Sequence, residues 1–322
     1  MDYINYVKQS PVQGLTGLWG GTQGALQASA GGGTSLLYAG GRALCSTYGS
    51  PGSISYWSLD TTSNAGNFGT IPGNMSNNNG AFCGSDASRA VWGGGPSENA
   101  MAYVTTTSTG NASTFGSLTR VRYAPAGCSN GVRGLLGGGY PPDTNTIDYV
   151  TVATTGSASH FGNRTQSRHG IDAISGGVRG IFANGQDPHS SRIDYVTIDT
   201  TGDATDFGST TVARTHGTGT NSDPGSGQNR GVFVAGYSGV DDHCDYITCA
   251  STGNATDWGE LANSHSYRCG AGTNGLRGYC AGGEGAGTAN ISYMTIDTTG
   301  SSSNAGDLVS SGASQGTSGV AS

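Results

Sequence analysis

The stretch IDYVTIDTTGDATDFG, residues 193–208, recurs along this chain with small changes. Residues 147–162 read IDYVTVATTGSASHFG, and residues 244–259 read CDYITCASTGNATDWG. In each copy apolar and polar residues alternate as they do in a β-strand, and a TG dipeptide then supplies the glycine that a tight reversal needs. Internal repetition of this kind indicates an architecture built from similar units.

The tyrosine of the DYV strand marks the copies of the repeat. It occurs at seven places: Tyr3, Tyr56, Tyr103, Tyr149, Tyr195, Tyr246 and Tyr293. A second marker, an apolar strand that runs into glycines, occurs six times from LLYAGG at Leu36 onward, and SGVAS at residues 318–322 is similar to the start of a seventh. Because 322 residues divided by seven is 46, we predict seven units of about 46 residues each.

Each unit is predicted to contain four short β-strands, and one such unit cannot bury its apolar faces alone. A four-stranded period of ~40–50 residues is typical of the blades of a β-propeller. The chain begins at a tyrosine strand and ends at a glycine strand, so each terminal half would complete the other. We therefore predict one all-β domain, residues 1–322, folded as a seven-bladed β-propeller whose N- and C-terminal strands share a blade.

The order of the repeated residues resembles the kelch family. A double glycine, a tyrosine, an aromatic residue and an Arg or His follow one another, here as Gly138–Gly139, Tyr149, Phe161 and Arg168–His169. This resemblance implies a kelch-like propeller. The TTG-x-A-x-x-F-G segment departs from the usual kelch pattern and is similar to repeat proteins of tailed bacteriophages, especially phages of aquatic and cyanobacterial hosts. Those proteins are usually described as virion structural proteins, which implies a decoration, tail or fibre component.

Composition and charge narrow the expected partners. The net charge is −7 and no cluster of Lys or Arg occurs, so nucleic acid is not a predicted partner. No run of 18 apolar residues occurs, so we predict no membrane insertion. The first ten residues, MDYINYVKQS, lack the basic and apolar regions of a signal peptide, so we expect synthesis in the host cytoplasm.

The sequence carries no set of residues that indicates catalysis. Neither an HExxH nor a G-x-S-x-G motif occurs, and His169 and His216 fall at similar repeat positions, which favours a structural role. We therefore predict no enzyme activity, no catalytic residue, no cofactor and no metal site. The seven cysteines leave a disulfide between Cys269 and Cys280 open.

Arginines precede the glycine strands at five places: Arg89, Arg133, Arg179, Arg230 and Arg277. They could form a ring that holds an anionic ligand, or they could tie neighbouring strands or blades together through backbone carbonyls. A residue repeated in five blades serves the repeat rather than one ligand, which favours the structural interpretation.

Segments that break the repeat are the better candidates for binding a partner, although each could also be an ordinary solvated loop. They are the insertion Thr220–Asn229, the acidic loop Gly236–Asp245 and the aberrant first unit. The candidate residues are Asn221, Asp223, Asp241, Asp242, His243, Asp245 and Trp19. We predict a non-enzymatic virion protein that serves as a rigid platform for other virion proteins or a host-surface glycan. The alternative is a free-standing kelch-like lectin or adaptor.

Overall fold

The computed structural model describes residues 41–47, 49–75, 80–83, 89–222, 229–237, 239–267, 269–283, 289–309 and 318–321. These residues form six antiparallel sheets of four strands each. In one sheet a short fifth strand pairs parallel with the outer strand. A 3-10 turn at Gly73–Met75 follows one outer strand. Among the described residues, no helix has the length and apolar character needed to cross a membrane.

The strands follow one another in chain order from blade to blade. Blade 1 contains β1 (Arg42–Ser46), β2 (Gly52–Ser58) and β3 (Gly66–Ile71), and blade 2 contains β4 (Gly80–Cys83), β5 (Ala90–Gly93), β6 (Ala100–Val104) and β7 (Ser113–Ser117). Blade 3 contains β8 (Ala126–Ser129), β9 (Arg133–Gly137), β10 (Thr146–Thr151) and β11 (Ser159–Asn163), and blade 4 contains β12 (Asp172–Gly176), β13 (Arg179–Ala183), β14 (Ser190–Thr197) and β15 (Thr205–Arg214). Blade 5 contains β16 (Thr218–Asn221), β17 (Arg230–Val234), β18 (His243–Thr248) and β19 (Thr256–Glu260). Blade 6 contains β20 (Gly270–Thr273), β21 (Arg277–Ala281), β22 (Asn290–Thr295) and β24 (Ser303–Asp307). The short β23 (Gly300–Ser301) pairs with the outer strand β19 of blade 5, and the last strand, β25 (Ser318–Ala321), belongs to blade 1.

The six sheets close into a ring. The innermost strands touch in sequence around a central axis, β4 with β8, β8 with β12, β12 with β16, β16 with β20, β20 with β25, and β25 with β4. Six apolar clusters fill the six interfaces between neighbouring blades. Each blade therefore buries its two faces against its neighbours, and the molecule is an all-β propeller of six blades.

The prediction of seven blades is wrong. The C-terminal strand β25 pairs antiparallel with β1, and the blade that they share contacts blade 2 on one side and blade 6 on the other. This contact closes the ring and leaves no place for a seventh blade. The LLYAGG segment at Leu36, taken as the first glycine strand, lies outside the described residues and precedes β1. Tyr3, the predicted seventh marker, also lies outside them.

An aromatic residue followed by glycine forms a β-bulge in the outer strands of blades 1 to 5, and Ala305–Gly306 forms the corresponding bulge in blade 6. In blade 4, Ile193 lies opposite Gly208 and Asp194 opposite Asp206, so Phe207 is the extra residue of the outer strand. The bulge turns the Phe207 ring inward, where it meets the ring of Tyr195 edge to face at 5.9 Å. This local geometry explains why, in blades 1 to 5, an aromatic residue follows the tyrosine at a fixed distance of twelve residues.

The repeated TTG-x-A segment joins each blade to the outer strand of the blade before it. Gly202 N donates to Phe161 O at 2.9 Å, and Ala204 N donates to Asn163 O at 2.7 Å. The carboxylate of Asp203 accepts a further hydrogen bond from Asn163 N at 2.8 Å. The repeated segment therefore determines both a strand pair within a blade and a backbone contact between neighbouring blades.

Six cysteines of the described residues are free and buried: Cys45, Cys128, Cys244, Cys249, Cys269 and Cys280. The disulfide left open for Cys269 and Cys280 is therefore not formed. Burial raises the pKa of the Cys244 and Cys249 thiols to about 12, which keeps both protonated at neutral pH. They act as small apolar residues in the interfaces between blades.

Candidate functional site

The repeated arginines tie neighbouring blades together. Each guanidinium lies 4.0–5.3 Å from the centre of the tyrosine ring in its own blade, in the pairs Arg42–Tyr56, Arg89–Tyr103, Arg133–Tyr149, Arg179–Tyr195, Arg230–Tyr246 and Arg277–Tyr293. Each also donates from Nη1 to a carbonyl oxygen of the next blade, in the order Thr106 and Thr107, Val152, Ile198, Cys249, Ile296 and Asp60. The last of these contacts returns from blade 6 to blade 1. The structural interpretation of the arginines is confirmed.

The loops of the propeller emerge on two faces. The connector face carries the loops between the second and third strands of each blade and the connectors that lead from one blade to the next. The turn face carries the turns between inner and second strands and the TTG turns. Antiparallel strands make this division unavoidable, because successive connections leave alternate ends of the sheet. The two loops predicted to flank β17, Thr220–Asn229 and Gly236–Asp245, accordingly leave it at opposite ends.

The acidic loop Gly236–Asp245 lies on the connector face, and its last residue is part of the interior. Asp245 is fully buried and forms an ion pair with Arg214 and a hydrogen bond with Thr211. His243 Nε2 lies 3.2 Å from Asp245 Oδ1 and 3.0 Å from Thr211 Oγ1. Burial lowers the pKa of His243, and the positive charge of Arg214 lowers it further. These residues hold the end of the loop in place.

Asp241 and Asp242 form the partly exposed portion of the same loop. Their carbonyl oxygens are anchored, because His265 N donates to Asp241 O at 2.9 Å and Leu261 N donates to Asp242 O at 2.7 Å. Burial raises the pKa of the Asp241 carboxyl, while a hydrogen bond from Ser266 opposes the rise. The backbone of both residues is thus fixed on the connector face, and the role of their carboxylates in binding stays a prediction.

The other predicted residues lie elsewhere. Asn221 belongs to the innermost strand β16 and is 5% exposed, with its Nδ2 donating to Ser222 O at 3.1 Å. Asp223 and Trp19 lie outside the described residues. The structure therefore brings Asp241, Asp242, His243 and Asp245 together and places Asn221 in the wall of the ring.

A row of aromatic and imidazole rings crosses the connector face, and the sequence did not predict it. Neighbouring ring centres are 4.3–6.5 Å apart, in the order Tyr140, Tyr123, His169, His216, Tyr267, Tyr237 and His189. We call these seven residues the aromatic row. Tyr237 is 52% exposed and Tyr140 is 38% exposed, whereas His216 is 4% exposed. The row thus has a buried middle and open aromatic surfaces.

Buried ion pairs lie beneath the aromatic row. Arg122 Nη2 is 2.7 Å from Asp148 Oδ2, Arg164 Nη2 is 3.1 Å from Asp194 Oδ2, and Arg214 pairs with Asp245. Burial lowers the pKa of Arg122 to about 10, and Asp148 counteracts this effect. Arg122 and Arg164 lie in connectors and Arg214 ends β15, and each pairs with the third strand of the following blade. The chain segments that lead into blades 3, 4 and 5 are thereby fixed.

Blade 6 uses a histidine in place of the arginine. His265 Nδ1 lies 2.8 Å from Gly282 O, and its Nε2 lies 2.8 Å from Ser292 Oγ. Burial lowers the pKa of His265 to about 4, so the imidazole is neutral at neutral pH. Ser292 occupies the position that Asp148, Asp194 and Asp245 hold in the preceding blades, directly before the repeat tyrosine.

The connector face therefore combines open tyrosine rings with partly exposed aspartates whose backbone is anchored. Tyr237 lies in the same loop as Asp241 and Asp242, and Tyr267 follows Ser266, which hydrogen-bonds Asp241. Such a surface can stack against a flat or apolar ligand face and accept hydrogen bonds from hydroxyl or amide groups. No protein-family model and no curated protein matches this chain.

Proposed function

We propose that this chain is a non-enzymatic binding platform that recognises its partner on the connector face, at the acidic loop and the adjoining end of the aromatic row. One observation carries the proposal: half-exposed Tyr237 and the partly exposed Asp241 and Asp242 share one loop, whose end is fixed by buried Asp245. This combination occurs in one sector of the ring and is not repeated in every blade, so the repeat itself does not require it.

The proposed ligand is a glycan of a cell surface. A sugar ring has one face of C–H groups that can pack on a tyrosine ring, and its hydroxyl groups donate hydrogen bonds to carboxylates. Tyrosine also supplies a large contact area at a low cost in conformational entropy, because it has two rotatable side-chain bonds. The net charge of −7 disfavours nucleic acid as the ligand.

The proposed setting is the virion of a tailed phage, in which the chain would be a decoration, tail or fibre component in contact with other virion proteins. It would be synthesised in the host cytoplasm. The support is the similarity of its TTG-x-A-x-x-F-G repeat to phage virion proteins, together with a ring that is rigidly tied from blade to blade. The alternative is a free-standing kelch-like lectin or adaptor that uses the same surface.

The test compares purified full-length variants in a binding assay on an array of bacterial surface glycans. Tyr237→Ala and the double variant Asp241→Asn, Asp242→Asn should each weaken binding about tenfold or more, because each removes contacts worth about 1–2 kcal/mol. Leu276→Ala is the control, since Leu276 is 66% exposed on the turn face. Unchanged binding by both connector-face variants would refute the proposed site.

A second experiment addresses the setting. Particles purified from a lysate of the encoding phage should contain the chain in a fixed ratio to the capsid protein, measured by quantitative mass spectrometry. Recovery of the chain in the particle-free fraction alone would favour the free-standing lectin or adaptor.

A further inference from the structure

Asp143, His169 and Asp187 converge at the edge of the aromatic row. Asp143 lies in the loop after β9, His169 in the connector between blades 3 and 4, and Asp187 in the loop after β13. One ligand atom from each lies within 4.8 Å of the other two. His169 Nδ1 is 2.5 Å from Asp143 Oδ1. Three segments of the chain, drawn from two blades, thus present one nitrogen and two carboxylates to the same point.

The histidine of this group is held in a fixed orientation. His169 is 6% exposed, and its ring lies 6.0 Å from that of Tyr123 and 5.3 Å from that of Tyr140. Its carbonyl oxygen accepts a hydrogen bond from Gln186 N at 2.9 Å. The Asp143 side chain is 25% exposed and Asp187 is exposed, so the group is closed behind the imidazole and open to solvent in front. An ion could enter from the open side and retain water there.

The propeller scaffold does not account for these three residues. Corresponding bridges join the connector to the loop of the following blade at Tyr123 with Tyr140, at His169 with Gln186, and at Thr215 with Tyr237. The position of His169 is therefore tyrosine in one neighbouring blade and threonine in the other. A histidine is not needed there for the fold, which separates this group from the repeated arginines.

We propose that Asp143, His169 and Asp187 bind a divalent transition-metal ion such as Zn²⁺. One imidazole and two carboxylates suit Zn²⁺, Cu²⁺ or Ni²⁺, whereas Ca²⁺ and Mg²⁺ prefer sites made of oxygen ligands. Three protein ligands leave a coordination position for water or for a group of a bound partner. The ion would join blades 3 and 4 across the connector face. This inference does not rest on the proposed glycan binding.

Binding requires a small local change. Ligand atoms at ~2.1 Å from a tetrahedral ion are ~3.4 Å apart, so the Asp143–His169 contact must open by about 1 Å. Arg168 is the competing cation, because its guanidinium is within electrostatic reach of both Asp143 and Asp187. It is held by Gln166 Oε1 at 2.9 Å from its Nε and by a hydrogen bond to Pro188 O. Removal of this charge should strengthen metal binding.

The test is titration of the tag-free full chain with ZnCl₂ by isothermal calorimetry, with Cu²⁺ electron paramagnetic resonance as a second readout. The wild type should bind one equivalent, and one imidazole nitrogen should couple to Cu²⁺. His169→Gln should abolish that coupling, and Asp187→Asn should weaken Zn²⁺ binding by at least about tenfold, the loss typical even of an outer-shell partner. Arg168→Gln should tighten binding.

Two exposed histidines provide matched controls. His160→Gln, on the outer strand β11, and His189→Gln, two residues after Asp187, should bind Zn²⁺ as the wild type does. No binding by the wild type, or binding unchanged in both His169→Gln and Asp187→Asn, would overturn the proposal. Loss of binding in His189→Gln with retention in His169→Gln would also overturn it. Asp187 is exposed, so its variant should fold even if the variant of buried His169 does not.

Discussion

Replacement of Gly162 by alanine should force blades 3 and 4 apart at their outer edge. A β-carbon at Gly162 would lie 2.0 Å from the carbonyl oxygen of Gly202 and 2.4 Å from its carbonyl carbon, whereas ordinary contacts begin at 3.4 Å. Both atoms belong to the backbone of the next blade, so no change of side-chain rotamer can relieve the overlap. The two segments must separate by more than 1 Å.

The expected loss of stability follows from the contacts that such a separation breaks. Three hydrogen bonds cross between the blades here, from Gly202 N to Phe161 O, from Ala204 N to Asn163 O, and from Asn163 N to Asp203 Oδ1. Each contributes about 1 kcal/mol net, and overpacking by itself costs about 1–3 kcal/mol. We expect the free energy of unfolding to fall by about 3 kcal/mol, a large part of the ~5–15 kcal/mol typical of a folded domain.

Gly202→Ala is the matched control because it alters the other side of the same contact. A β-carbon at Gly202 would meet no atom within 4 Å, and the backbone of this residue is outside the left-handed region. This variant should be neutral or stabilised by up to about 1 kcal/mol, since alanine restricts the unfolded chain. Urea unfolding followed by tyrosine and tryptophan fluorescence gives both values. If Gly162→Ala unfolds at the wild-type urea midpoint, or if both variants lose the same free energy of unfolding, the close contact between Gly162 and Gly202 is refuted.

Two further predictions concern acid stability and ring closure. The pKa of His265 is lowered to about 4 from 6.5, so the unfolded chain binds this proton more readily and stability falls as pH drops from 6.5 to 4, by about 3 kcal/mol. The pKa of Asp172 is raised to about 7, which opposes this loss of stability at low pH. Urea midpoints at pH 4.5 and 7.5 should therefore be compared between the wild type and His265→Gln. Equal pH dependence in the two proteins would contradict the lowered pKa of His265. Deletion of residues 318–322 removes β25 from blade 1 and should markedly lower the melting temperature. An unchanged melting temperature would show that β25 does not close the ring.

The repeat, its strand order and the propeller architecture were predictable, because hydrophobic alternation and turn glycines are local signals. The predicted number of blades was wrong, because it was counted from tyrosines and a tyrosine alone does not define a complete blade. The better marker is an arginine followed by its tyrosine: Arg42 precedes Tyr56 by 14 residues, and five further pairs at spacings of 14 or 16 residues follow, which gives six units. Arg42 was missed because LLYAGG, just before it, was taken as the first glycine strand.

The acidic loop was found from its break in the repeat, yet its residues have different roles. Asp245 belongs to the repeated DY dipeptide, together with Asp148 and Asp194, so repetition itself marks it as part of the scaffold. Its partner Arg214 is 31 residues earlier, and only the fold brings the two charges together. The aromatic row could not be recognised in the sequence either, because the fold brings together rings that are distant along the chain. His169 and His216 lie at nearly equivalent repeat positions, one residue apart in register, and their rings meet because the connectors converge around the axis.

The specialised side chains occupy one sector of the ring, which bears on how a partner would approach. The six arginine contacts are the same in every blade, so they stiffen the ring without distinguishing one side of it from another. Beneath the connector face, blades 3, 4 and 5 place Asp148, Asp194 and Asp245 where blades 1 and 2 have Ser55 and Ala102. Each of these aspartates is paired with a buried arginine. Because serine or alanine fills the same place in blades 1 and 2, the ion pairs are a feature of this sector of the scaffold and not of every blade. They fix the connectors that carry the aromatic row. The proposed binding surface therefore lies away from the axis, over blades 3 to 6, where it would admit a partner in one orientation.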